Sequence, residues 1–256
     1  AGATEVYRVG GIQSIGLMAF GTATVRPVQK IVGPGNAYVT AAKRQVYGIV
    51  ALDQVAGPSE IAILADDSAA PEWVAADLLS QAEHGSGHEK ALLVTDSLVL
   101  ARAVRDALTA QTRLLSRAAC IERVLAVGGI LAVVVPDLDQ GMELVNRFAP
   151  EHFEIMTRDA RLRLNQVRAA GAVFVGPWTP EAAGDFVAGP SHVLPTGGAA
   201  RMFNGLTADD FRRRHSFVEF TREDLIETRR TIETFAEVEG LDAHGRSARI
   251  RFEERC

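Results

Sequence analysis

The chain has 256 residues, 47% of them hydrophobic and 23% charged, which is the composition of an ordinary globular protein of one large or two smaller domains. A net charge of −5 excludes the basic footprint of a nucleic-acid binder, and no apolar run approaches the ~18 residues of a membrane span. Two cysteines, Cys120 and Cys256, are too few for a disulfide framework and fit a reducing cytoplasm. The chain opens on Ala1 without a secretory leader, as a processed protein or a piece of a longer one would.

Strand-length apolar runs alternate with helical patterns. Lys30–Val32 reads as a short strand, followed by the turn Gly33-Pro34-Gly35-Asn36 and a helix over 37–47. A strand over 61–65 follows, then caps at Asp66, Asp67 and Ser68 and a helix over 71–84 that Pro71 starts. Strands over 91–95, 130–135, 153–157 and 172–176 alternate with helices over 97–110, 116–126, 137–147 and 160–168. The β-branched run 130–135 reads as a buried strand. Apolar strands between amphipathic helices predict an α/β fold with a parallel sheet covered on both faces. Gly- and Pro-rich sequence from Trp178 to Thr196 reads as a long functional loop, with Gly184 a free bend beside Asp185. Residues 208–214 read as a short basic helix. Thr221 and Asp224 form a capping box that opens a long helix to Glu239, which Gly240 ends.

Chemistry concentrates in four places. The end of the helix over 71–84 carries Gln81 and His84 three residues apart, on one helical face, with Glu83 pointing elsewhere. A helix C-terminus favours a cation, so these two side chains read as half of a metal site or, alternatively, as a solvated helix end. Gly33–Asn36 brings backbone N–H groups to a helix start, where a phosphate could bind, although a plain strand-to-helix turn has the same pattern. Ligands of parallel sheets gather at the carboxyl ends of strands, so loops there are the expected sites. Glu151-His152 ahead of a strand is a candidate acid/base pair, and neighbours in a strand share a cavity only where the backbone is irregular, which Pro150 favours. The fourth place is the stretch holding Asp185 and His192.

Taken together these stretches resemble the histidinol dehydrogenase family. The resemblance runs through Gly10-Gly11-Ile12-Gln13, Gly33–Val39, Ala42-Lys43-Arg44, Ala56-Gly57-Pro58-Ser59-Glu60, Asp77–His84, Ala149-Pro150-Glu151-His152, Gly184-Asp185-Phe186, His192–Gly198 and the Glu239…His244 tail. It implies Rossmann-like parallel sheets with a helical C-terminal tail. Residues 1–57 would be the remnant of a cofactor-side domain too small for an independent core, 58–205 the zinc and catalytic domain, and 206–256 a tail crossing to the partner of a homodimer. It implies two NAD-linked oxidations that convert L-histidinol to L-histidine through the aldehyde, with Zn²⁺ held by Gln81, His84, Asp185 and His244. Glu151 and His152 would be catalytic. Ser59, Glu239, Gln81, His84, His152, Asp185 and His244 would contact substrate, and Gln13 and Asn36 the NAD. Family chains begin well upstream of Ala1, and Ser191 and Ile12 stand where the family usually has Asn and Ala. Two other readings follow: a zinc- and NAD-dependent dehydrogenase for another small alcohol such as a sulfonated diol, and a non-catalytic, zinc-binding dimeric fragment.

Overall fold

The computed structural model describes residues 2–55 and 57–253; Ala1, Ala56 and Cys256 of the sequence reading lie outside the described residues. It divides into two compact units, one up to Phe211 and one from Arg212 onward.

The first unit holds two parallel sheets. The smaller pairs β1 (Lys30–Ile31) with β2 (Ala51–Leu52), Lys30 opposite Ala51. Helices α1 (Gly11–Phe20) and α2 (Ala37–Val46) pack beside it around Ile15, Ala19, Ile31, Val46 and Val50. These side chains form a small apolar cluster separate from those of the larger sheet. Helix α1 escapes sequence reading because Gly10 supplies no side-chain cap and the segment carries no charge.

The larger sheet contains β3 (Glu60–Ala65), β4 (Lys90–Thr95), β5 (Ile130–Val134), β6 (His152–Met156) and β7 (Ala172–Val175), in the order β5-β4-β3-β6-β7. Ile61, Ile63, Leu93 and Met156 face α3 (Pro71–Ala82) and α4 (Leu98–Thr112); Leu64, Val94, Phe153 and Ile155 face α6 (Leu138–Phe148). The expected two-faced cover is present. Local caps explain the helix starts: Pro71 occupies the first turn of α3, and the side chains of Ser97 and Asp137 accept backbone N–H groups of α4 and α6. Helix α5 (Ala118–Ala126) packs Ile121 and Val124 against Leu79.

Several expectations need correction. Strand β5 is not buried: it has one neighbour, and Leu131 and Val134 are 56% and 45% exposed. An apolar run alone does not distinguish an edge strand from a central one. The 160–168 helix is a 3₁₀ segment, Ala160–Gln166, whose exit Asn146 ties down by donating to the Gln166 carbonyl and accepting from Arg168 N–H. The 208–214 helix shrinks to a 3₁₀ turn, Ala208–Phe211, closed by the Asp210 carboxylate on Thr207 and by Lys30 on the Asp210 carbonyl. The 178–196 loop contains a helix, α7 (Glu181–Phe186). Gly184 lies inside that helix, where a Cβ would come within 2.6 Å of the Phe174 ring, so its role is close packing and not bending.

The second unit is a helical hairpin. Helix α8 (Arg222–Glu239) starts at the reciprocal Thr221–Asp224 capping box and stops at left-handed Gly240 (φ 68°). Helix α9 (Asp242–Arg249), rich in charge and missed by apolar periodicity, returns so that Gly245 meets Ala236 closely. No helix among the described residues is long and apolar enough to cross a membrane.

Candidate active site

The candidate acid/base residues Glu151 and His152 gather at the amino-terminal edge of the larger sheet, not at the carboxyl ends expected of a parallel sheet. Helix α3 returns antiparallel to β3, so its C-terminus meets the first residues of β3 and β6. Helix α3 ends at Ala82, earlier than the expected His84; Glu83 is the cap, and Gly85 and Gly87 with positive φ carry the chain away. His84 nevertheless stays beside Gln81, its Nδ1 lying 3.0 Å from the Gln81 carbonyl and 3.4 Å from Nε2.

Gln81, fully buried, joins the two histidines: its Oε1 lies 2.9 Å from His152 Nδ1. The Glu60 carbonyl lies 3.2 Å from the same Nδ1. Two acceptors at Nδ1 place the proton there and leave Nε2 as the basic nitrogen. His152 Nε2 faces Glu181 Oε1 at 3.6 Å and Asp185 Oδ1 at 3.8 Å. Both Nε2 and Glu181 Oε1 are buried without a hydrogen-bond partner, as is Glu154 Oε2. Donor atoms of His152, Glu181 and Asp185 lie within 4.8 Å of one another, the one such trio of His, Cys, Asp or Glu among the described residues. Imidazole and carboxylate are zinc ligands, and orphaned donors facing one another fit a cation.

Burial pushes the imidazole of His152 down, but the carboxylates of Asp185, Glu151 and Glu181 outweigh it and hold the protonated form above its ordinary range. Proximity to His152 keeps Asp185 ionised below its usual value. Desolvation raises Glu181, and raises Asp77 to about 6, with the charge of Glu181 adding to the rise in Asp77. Glu154, on the same face of β6 as His152, is pushed far up by burial and by Asp77. Its Oε1 accepts the Glu181 N–H at 2.7 Å, and Ser80 Oγ donates to Glu181 Oε2 at 3.2 Å.

Glu151 and His152 do share the cavity, with 3.8 Å between Glu151 Oε2 and His152 Nδ1. The irregular backbone that this needs is Ala149, buried and left-handed at φ 54°, followed by Pro150. Glu151 Oε2 accepts the Glu60 N–H, and burial lifts Glu151 to about 7. Glu60 itself, buried, holds the Gly197 N–H and lies 3.7 Å from Lys90.

A cavity of about 440 Å³ brings together Asn36, Thr40, Arg44, Ser59, His84 and His88. It thus joins Asn36, expected at the cofactor, Ser59, expected at the substrate, and His84, expected at both metal and substrate. Asn36 caps α2, accepting from Tyr38 and Val39. Gln13 is exposed on α1 and does not line this cavity. His192 is exposed, and Ser191 closes a local turn onto Val193. Glu239 and His244 belong to the second unit, where both are exposed. Sequence reasoning missed Glu181, Glu154, Asp77 and Glu60 as site residues. The available signal was Glu181 after Pro180, one helical turn ahead of Asp185.

The family profile described as histidinol dehydrogenase matches residues 1–252. Among curated relatives, histidinol dehydrogenase of Bacillus cereus is 44% identical over 254 residues, covering 99% of this chain and 59% of its own length. That of Rhodopseudomonas palustris is 47% identical over 255 residues, covering all of this chain and 59% of its own length. The crystal structure of histidinol dehydrogenase from Elizabethkingia anophelis superposes with a TM-score of 0.89 at 37% identity, over 98% of this chain and 57% of that one. The chain spans about three fifths of the length of the curated relatives it matches. Match, coverage and superposition agree along the whole segment: the chain belongs to the histidinol dehydrogenase family.

Proposed function

We propose that the protein oxidises L-histidinol to L-histidine through the aldehyde, as a cytoplasmic, zinc- and NAD-dependent homodimer. Family membership supports the substrate, and the observation that carries the chemistry is the His152 imidazole with its Nδ1 fixed and its Nε2 orphaned among carboxylates. In this reading residues 1–57 serve the cofactor, 58–205 hold zinc and catalysis, and the tail over 206–256 serves the partner's site. Gln81, His84 and Asp185 hold Zn²⁺ with His244 of the partner subunit, and the unpartnered donors around Asp185 support a cation there. When bound, zinc supplies Lewis acidity at the reacting oxygen and NAD accepts a hydride in each oxidation.

His152 Nε2 accepts the hydroxyl proton as the alcohol carbon loses hydride. The Glu60 carbonyl and Gln81 Oε1 hold Nδ1–H, so the imidazole need not turn as it takes that proton. Glu151 then takes a proton from the water that adds to the aldehyde carbon. A carboxylate lifted to about 7 is a stronger base than an ordinary glutamate and still ionised above neutrality. Ser59 and Glu239 bind substrate, Glu239 at its ammonium. Asn36 and Gln13 contact the nicotinamide cofactor.

The test is NADH formation from L-histidinol by the zinc-loaded protein, with a sulfonated diol as the competing substrate. His152→Asn lowers kcat by about 10²–10⁴-fold. Absence of NADH formation from the wild type, or an active His152→Asn, overturns the reading.

A further inference from the structure

Lys43 and Asp53 are the most deeply buried ion pair among the described residues, 3% and 2% exposed, with Nζ 2.5 Å from Oδ1. Both lie far from the acid/base residues in sequence, and the chemistry above uses neither. Both side chains bind the backbone of one residue, Gly33. Asp53 Oδ2 accepts the Gly33 N–H at 2.8 Å, and Lys43 Nζ donates to the Gly33 carbonyl at 3.0 Å. Asp53 Oδ1 also accepts the Gln54 N–H, which fixes the carboxylate to the chain that leaves β2. Gly33 has φ 122°, a backbone that side chains rarely adopt, and it opens the turn that ends at Asn36.

The turn leaves the carboxyl end of β1 and enters α2, and the loop carrying Asp53 leaves the carboxyl end of β2 beside it. This is where parallel sheets bind nucleotides. Asn36 spends its side-chain oxygen on the α2 cap, which leaves its Nδ2 to offer a ligand in the cavity shared with Ser59 and His84. An ion pair meant only to neutralise itself has no need of both polar groups of one strained glycine.

We propose that Lys43 and Asp53 are positioning residues for the dinucleotide: they clamp Gly33 so that the turn to Asn36 is preformed. This rests on the reading of Asn36 as a cofactor contact. The clamp acts through the turn, so it sets dinucleotide affinity and leaves substrate affinity alone.

The experiment measures NAD and L-histidinol dissociation constants separately, by calorimetry, on the zinc-loaded protein. The double variant K43M/D53L replaces the pair by apolar groups of similar size, which keeps the fold while releasing Gly33. Its NAD dissociation constant rises at least tenfold, and that for L-histidinol stays within twofold. The single variant K43R, which keeps charge and donor, retains most of the wild-type NAD affinity. A folded double variant that binds NAD like the wild type overturns the clamp alone. Equal weakening of both ligands, with NAD affinity not retained in K43R, reduces the pair to a structural one and overturns it too. A wild type that binds L-histidinol but no NAD overturns the cofactor reading and the clamp with it.

Discussion

Two groups of buried charges in the first unit are built on opposite plans. Lys43 and Asp53 are one cation and one anion, with each oxygen of Asp53 and the Lys43 amine hydrogen-bonded. Around His152, three carboxylates, those of Glu151, Glu181 and Asp185, share one imidazole, Glu154 and Asp77 crowd in behind Glu181, and three buried atoms lack any hydrogen-bond partner. The first group is closed and answers its own desolvation cost. The second has surplus negative charge that only protons or a metal cation can offset, and open valences of this kind mark chemistry more than stability.

Removing one partner of the closed pair should have the largest effect. Lys43→Met leaves the Asp53 carboxylate buried and unpaired, and should cost about 3–5 kcal/mol of unfolding free energy in a urea titration, whereas the matched double replacement should cost far less. At the open cluster the sign reverses. Asp77 has its ordinary unfolded value of 3.8 raised to about 6, so the native state favours its protonated form. That favourable contribution is complete below 3.8 and lost as pH rises through about 6. Asp77→Asn should therefore stabilise the protein by up to about 3 kcal/mol above pH 7 and by little near pH 4, read from thermal midpoints across pH. The smallest effect is expected from adding a metal cation. Zinc at 100 times its dissociation constant should add about 2.7 kcal/mol, reversed by chelation, and this gain should shrink in Glu181→Gln if the orphaned oxygen faces the metal. No gain on zinc addition would remove the contrast between the two groups.

What could be read from sequence was mostly local. Pro71, Ser97, Asp137 and the Thr221–Asp224 box announce helices because each cap is decided within four residues. The alternation of apolar strands and helices was likewise sufficient for the parallel sheet. Gln81 and His84 were legible as a pair, and Glu151-His152 as another. That Gln81 joins the two pairs was not, because it depends on β3 and β6 being neighbours although 91 residues separate Glu60 from Glu151. Glu154 looked like one more polar residue in a strand, and Lys43 like one more charge on a helix; both are buried, against the usual fate of those residue types. The placement of the site at the amino edge was missed because the expectation came from the strands, whereas Gln81 and His84 come from the end of a returning helix.

Ala149 carries a consequence for sequence variation. It is the only non-glycine residue with positive φ among the described residues, and it stands two positions ahead of Glu151. A left-handed alanine costs about 1–2 kcal/mol, and any larger β-substituent costs more. Its side chain is fully buried, so even asparagine, which tolerates the backbone, would have to find a partner in the core. A saturation library at position 149 should therefore return alanine and glycine almost alone, with the glycine variant gaining backbone ease and losing the stiffness that aims the two residues after Pro150 into one cavity. A single buried methyl group thereby sets how far this segment of the chain can drift in evolution.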